Sequence, residues 1–457
     1  MSPSLPLIGL ITTFVGSMLL WTPRPAGRRV PKWGTPGRWA YRCARRPSKL
    51  CPYRLSPGMK GAMITKSQQT DKRRSGLARV AVSVFFFLNG LMTATMSTRL
   101  PELQMKLALP SGQLGLALLG CTVGGLLAMN IASRLSRHYG SNVISTVAAL
   151  GMGVALPLMA VAPTMPLLFL ALVFSGAGNG AMDVTMNMQG ADVEQAYGRS
   201  ILNSFHACFS VGSLVGASLG SILAALHVSP DLHFLSIAIC ACAGLIGSSR
   251  WLLPSRSIQN ARKQSTQKAL PLHFSRPLIL LGIIAFCAFL SVGAIFDWGA
   301  IYLSSTLHTG AGLAAAGFTA FLLCMTLGRS VGDKLAMRFG AAMLVRSACL
   351  LAAIGLTLAL VFTWTPMVLF GLSLVGIGLS VPFPLVVSAA GRLAKQDTSS
   401  PLATVTTWGY FGMIAGPTVI GFIADRVGLR LALFLVVFLC VLAALCAPAA
   451  STAEKIE

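Results

Sequence analysis

Twelve runs of about 20 apolar residues follow one another between residues 78 and 449, and no soluble fold accommodates them. An α-helix rises about 1.5 Å per residue, so each run can cross a hydrocarbon core of about 30 Å. Backbone N–H and C=O groups inside lipid must be satisfied within the protein, which makes each run a helix. The apolar blocks, bounded by Gly, Pro and charge, predict helices at 78–98, 112–132, 142–162, 166–188, 201–224 and 232–252. A second series is predicted at 276–298, 312–332, 341–363, 366–388, 404–424 and 429–449. The expected fold class is therefore an all-α membrane protein with twelve transmembrane helices. Only 11% of residues are charged and 54% are hydrophobic, against about 25% charged in an ordinary soluble domain.

The formal net charge of +24 would suggest a nucleic-acid partner if it lay on one soluble face, but its placement argues otherwise. Residues 1–62 carry 11 basic residues and no acid, leaving 25 basic against 12 acidic residues, most of them in short loops. The link between the two series holds Arg250, Arg256, Arg262, Lys263, Lys268 and Arg276. Residues 66–79, Arg134 with Arg137, Arg199, Lys334 with Arg338, and Arg392 with Lys395 fall on the same side of the bilayer, opposite Arg99, Lys106, Arg426 and Arg430. Basic loops face the cytoplasm, so both termini are expected inside and nucleic acid is not an expected partner. This gives a basic Pro/Arg-rich extension at 1–62, a six-helix half at 63–252, a cytoplasmic linker at 253–275, a second half at 276–449 and a tail at 450–457.

The extension shows no helical or strand periodicity after residue 22, and its apolar stretch at 7–21 lacks the flanks of a signal peptide. Translation is expected to begin at Met59 or Met63, ahead of MITKSQQTDKRR. The 11 cysteines show neither zinc nor redox spacing, and small buried hydrophobes are the better reading. No metal, cofactor or catalytic residue is expected. ATP coupling would need a phosphate-cradling G-x-x-x-x-G-K-[ST] loop, and the chain contains no Gly-Lys pair. GASLG at 216–220 fits G-x-S-x-G but lies inside a predicted helix rather than at a strand-to-helix elbow, so the chain is not read as an enzyme.

Sliding the sequence by 200 residues exposes an internal repeat. Gly112 meets Gly312, Leu135 meets Leu335, and Gly140 meets Gly340. Pro166, Leu172, Gly176 and Gly178 meet Pro366, Leu372, Gly376 and Gly378, and Gly212 and Gly216 meet Gly412 and Gly416. Two parallel six-helix halves related by an axis along the membrane normal allow a central site to alternate its exposure. GFIADRVGLR at 421–430 resembles the G-x-x-x-D-R-x-G-x-R signature of the major facilitator superfamily, with LAMRFG at 335–340 and LSRHYG at 135–140 as degenerate copies. The Asp position of the signature is Met337 in one copy and Arg137 in the other. GNGAMDVTMNMQGADVE, SFHACFSVGSLVGASLG and FDWGAIYL are similar to the fucose-permease-like branch of bacterial facilitators. The resemblance implies a monomeric, multi-pass carrier of the bacterial inner membrane that moves a small, sugar-like solute coupled to protons. A drug or metabolite efflux carrier of the same fold and a non-transporting membrane receptor are the alternatives.

Asn179, Asp183 and Asn187 recur every four residues, on one face of the fourth helix. An intramembrane carboxylate is costly and should face a wet cavity, so Asp183 is the expected proton-coupling residue, about 9 Å to the cytoplasmic side of the helix midpoint. His206 on the fifth helix is expected to relay between Asp183 and the inner opening; packing is the alternative for both residues. Asn89, Asn179, Asn187, Asp297 and Trp298 are expected to bind solute, a carboxylate accepting hydroxyl hydrogen bonds while an aromatic ring covers an apolar sugar face. An interfacial tryptophan beside a solvated acid is the alternative for Asp297 and Trp298. Arg329, Asp333, Asp425 and Arg426 are the candidate gating charges, while Arg99 and Glu102 are expected to set helix ends or a gate.

Overall fold

The computed structural model describes residues 57–197, 201–254, 275–393 and 400–452, without the side chains of Asn203 and Asp333 among others. Most of the extension, Arg199 and most of the linker lie outside the described residues, so the expected start site and the linker are not addressed by the structure. The chain divides into residues 1–76, whose described part is helical, and residues 77–457. All regular structure among the described residues is helical.

Among the described residues, twelve helices are long and apolar enough to cross a membrane, and they are numbered here as spans 1 to 12. The first six are Arg74–Lys106, Ser111–Tyr139, Ser141–Val161, Met165–Tyr197, Ser204–Ala225 and Pro230–Ser249. Spans 7 to 12 are Arg276–Thr306, Ala311–Gly332, Ala341–Val361, Thr365–Gly391, Thr404–Val427 and Leu429–Ser451. Each coincides with one expected helix. Spans 4 and 7 run well past their expected ends, span 7 finishing in a π turn over Tyr302–Thr306. Span 10 breaks between Leu379 and Pro382, where the proline cannot donate to the preceding turn.

The 200-residue repeat reappears as packing. Span 2 packs on span 4, span 3 on spans 4 and 6, and the same pattern joins span 8 to span 10 and span 9 to spans 10 and 12. Gly140 and Gly340 turn the chain between spans 2 and 3 and between spans 8 and 9 with φ of 88° and 80°, a region that only glycine enters without steric cost. The last carbonyls of spans 3 and 9 are each held by a cation: Lys106 Nζ donates to Ala160 O at 2.5 Å, and Arg430 Nε donates to the equivalent Leu360 O at 2.5 Å. The cations come from different elements, the end of span 1 and the start of span 12, so the halves reach one local solution by separate routes.

Within a half, backbones touch through small residues. A Cβ on Gly176 would press into the backbone carbonyl of Cys121, and one on Gly180 into that of Gly125. Membrane helices gain no hydrophobic drive from each other against lipid, so such close van der Waals approach holds them together. Gly176→Leu is expected to force spans 2 and 4 apart at a cost of at least about 1–3 kcal/mol, the usual range for overpacking. The check is a lowered melting temperature in detergent beside an unchanged Gly247→Ala control, whose added Cβ would meet nothing.

Candidate functional site

The halves meet along two seams, span 2 against span 11 and span 5 against span 8. The Gly112 N–H donates to Asp425 Oδ2 at 2.9 Å, and Thr418 Oγ1 donates to Gly115 O at 3.3 Å. In the second seam Ser221 Oγ donates to Gly312 O at 2.7 Å. Gly112 and Gly312 are repeat equivalents, as are Asp425 and Ala225, and a Cβ on Gly312 would strike Ala225. The same closure is therefore made by a carboxylate at a helix N-terminus in one seam and by methyl contact in the other. Anions are favoured at helix N-termini, so Asp425 adds electrostatic attraction that its counterpart lacks. All these contacts lie at one end of the spans, where spans 2 and 8 begin.

Away from that seal, polar side chains of the first half face aromatic groups of the second. Asn89 on span 1 is 2% exposed and donates through Nδ2 to Asn179 Oδ1 on span 4 at 3.0 Å. Asn187 Nδ2 donates to Asp183 Oδ1 at 3.2 Å, confirming one helical face for Asn179, Asp183 and Asn187. Across from them Tyr410 on span 11 lies within electrostatic range of Asp183. Its ring is 6.2 Å from that of Phe289, which meets Phe383 edge-on at 4.1 Å.

His206 does not hydrogen-bond to Asp183. Its ring is 5.1 Å from Phe86, edge to face, and it is within electrostatic range of Arg329 on span 8. Both His206 and Arg329 are exposed. The expected latch between Arg329 and Asp333 involves a side chain outside the described residues. Arg426 is exposed beside Asp425.

Asp297 and Trp298 are separated from the asparagine group. Trp298 is fully buried rather than in an interfacial belt, packed on Gly421 at the seal, with its Nε1 unpartnered. Asp297 is partly buried and faces Cys121 of span 2 within electrostatic range. Counted from the sealed ends of their spans, Met165 and Thr306, Asp183 lies roughly 27 Å deep and Asp297 roughly 14 Å, at about 1.5 Å per residue. A single small solute touching Asp183 would not also reach Asp297.

Arg99, a candidate helix-end or gate residue, is completely buried. Its Nη1 donates to both Glu102 oxygens at 2.6 and 2.7 Å, and its Nε donates to His233 Nδ1 at 3.0 Å. This joins spans 1 and 6 within one half, so it acts as a tie rather than a gate between halves. Tyr410, Phe289, Cys121 and His233 were not among the expected site residues. They are ordinary apolar-helix residues until packing turns them inward, although the position of Tyr410 beside the repeat-matched Gly412 placed it on a helix already marked as equivalent to span 5.

Comparison with known proteins agrees with this architecture. The family model described as Major Facilitator Superfamily matches residues 4–202, 82–417 and 298–455. An uncharacterized transporter of Sinorhizobium fredii is 31% identical over 80% of this chain and 96% of its own length. The membrane protein MosC of Rhizobium meliloti is 31% identical over 79% of this chain and 87% of its own. Among solved structures, a bacterial homolog of the lysosomal transporter Spinster, in an inward-facing and occupied conformation, superposes with a TM-score of 0.63 at 14% identity, covering 82% of this chain and 96% of that one. A D-xylose-proton symporter gives 0.63 at 17% identity, with 80% and 96% covered. Twelve spans in two repeated halves, the matching family model and relatives aligned over nearly their whole length together make this chain a member of the Major Facilitator Superfamily.

Proposed function

We propose that this transporter carries a small hydroxylated solute between its two halves by alternating access, coupled to protons. The observation that supports it most is the Asn89–Asn179–Asp183–Asn187 surface opposite Phe289, Phe383 and Tyr410. Amides and a carboxylate bind hydroxyl groups, while aromatic faces cover the apolar side of a ring. Among the structural neighbours, one is a D-xylose-proton symporter and another a nucleoside transporter, in line with a hydroxyl-rich cargo. The fucose-permease-like motifs point the same way.

In this reading Asp183 binds solute and proton together, and exposed His206 passes protons toward the open end. By the distribution of basic loops, the termini and the open end face the cytoplasm of a bacterial inner membrane, with the Gly112–Asp425 seal outside. The state described is then open inward. Asp425 and Arg426 belong to the outer gate, Arg329 and Asp333 to the inner one. The protein works as a monomer, since one chain holds both halves of the site.

Reconstituted protein lacking residues 1–62, in liposomes with an internal pH dye, tests the reading against a panel of sugars, polyols, amino sugars and organic acids. A transported solute is expected to acidify the lumen as protons enter with it. Asp183→Asn is expected to abolish accumulation, and Asn89→Ala to weaken binding by about 1–3 kcal/mol through the unpaired Asn179 amide. Binding of a panel member without flux would overturn transport in favour of a receptor.

Asp425→Ala removes the anion at the start of span 2, an interaction worth about 0.3–2 kcal/mol. The outer seal is expected to open about two- to thirty-fold more often. A membrane-impermeant maleimide added outside should modify Cys121, in a variant retaining only that cysteine, faster by that factor. An unchanged rate would remove Asp425 from the gate.

A further inference from the structure

Asp297 is the intramembrane acid that the solute site leaves unused. Its carboxylate makes no hydrogen bond or ion pair among the described residues, while Asp183 has Asn187. It lies on span 7 between Phe296, whose ring meets Phe318 at 5.1 Å, and fully buried Trp298, which packs on Gly421 of the seal. Gly421 in turn abuts the Ser111 carbonyl. Cys121, the group facing Asp297 from the other half, lies roughly 15 Å from the Ser111 end of span 2 at about 1.5 Å per residue, a depth matching that of Asp297. The carboxylate therefore lies immediately under the closure, at the boundary between halves.

The other titratable groups on elements around span 7 are engaged elsewhere or distant. Asp425 accepts the Gly112 N–H, Arg430 holds the carbonyls of Leu360 and Val361, and Cys440 lies 3.6 Å from Ser291. Tyr410 is within electrostatic range of Asp183, and Arg329 is in range of His206 near the open end. Among the described residues no cation compensates Asp297, and an uncompensated carboxylate in an apolar seam is expensive. Neutralisation by a proton removes that cost while the seam is shut. Opening the seam admits water, and the carboxyl can then exchange its proton with water of that side.

We propose that Asp297 loads and releases a coupling proton at the sealed end of the transporter, in step with the opening and closing of the Ser111–Gly421 seal. This rests on the proton-coupled reading above and gives it a second carboxylate, roughly 13 Å from Asp183 in depth at about 1.5 Å per residue. A proton entering beside Trp298 and a solute held at Asn89 and Asn179 would then share the conformational change, without sharing a binding site. Because the sealed state favours the neutral acid, its population rises as pH falls.

The test needs no transported solute. Genetically encoded spin labels at Met105 and Phe362, exposed near the sealed ends of spans 1 and 9 in opposite halves, report the separation of those ends in lipid nanodiscs. In the otherwise native protein, the ratio of open to sealed distances is expected to rise with pH by up to about tenfold per unit, the limit for one linked proton. Asp297→Asn should abolish that dependence and hold the seal shut, and Asp297→Glu should restore a titration with a moved midpoint. A pH response in Asp297→Asn equal to that of the native protein would overturn the assignment while leaving proton coupling intact. Absence of a pH response in the native protein would overturn proton coupling itself, and the assignment with it. A shift produced by replacing choline chloride with sodium chloride at fixed pH, and lost in Asp297→Asn, would overturn the proton in favour of a sodium ion.

Discussion

Close approach of helix backbones, with almost nothing between them, is the interaction on which this structure depends. In lipid, apolar side chains gain little by leaving one hydrocarbon surface for another, so spans associate where small residues bring backbones together. Gly176 against Cys121 and Gly180 against Gly125 do this within the first half. The boundary between halves uses the same device more sparingly, through Gly112, Gly115, Gly312 and Gly421. A boundary held by a few small residues at one end can separate without unpacking either half. Rigid halves and a separable seam are the mechanical requirements of alternating access.

The two seams are related by the repeat and yet differ in chemistry. One is fastened by a carboxylate at a helix N-terminus, the other by a methyl group and a serine hydroxyl. Charge at a helix terminus is sensitive to hydration and to neighbouring charge, whereas methyl contact is not. A pseudo-symmetric frame can thus bias its closure from one side while both seams keep the same geometry. The polar content of the interior follows a similar division, with amides and Asp183 supplied by the first half and aromatic rings by the second.

Much of the architecture was legible in the chain because the bilayer restricts the choices so severely. Run length fixed the number of spans, and the 200-residue offset foretold which helices are equivalent in the two halves. The four-residue spacing of Asn179, Asp183 and Asn187 placed them on one face, but spacing could not show that Asn89 hydrogen-bonds to Asn179. The expectation that Asp297 and Trp298 share the solute site did not anticipate their depth. Span 7 continues to Thr306, past the last residue of its expected helix, so the pair lies about two turns inside the helix rather than at its end.

The sequence by itself determined the helical class, the twelve spans, their pairing by repeat and the turns at Gly140 and Gly340, because each follows from local periodicity or from the conformational range of a single residue. Only the tertiary structure decided that Asn89 meets Asn179, that Tyr410 faces Asp183, and that Asp425 caps span 2 across the boundary. Those relations join residues from about 90 to 313 positions apart. They depend on the rotation of each helix about its own axis and on how far the halves have closed, which apolar run length leaves free.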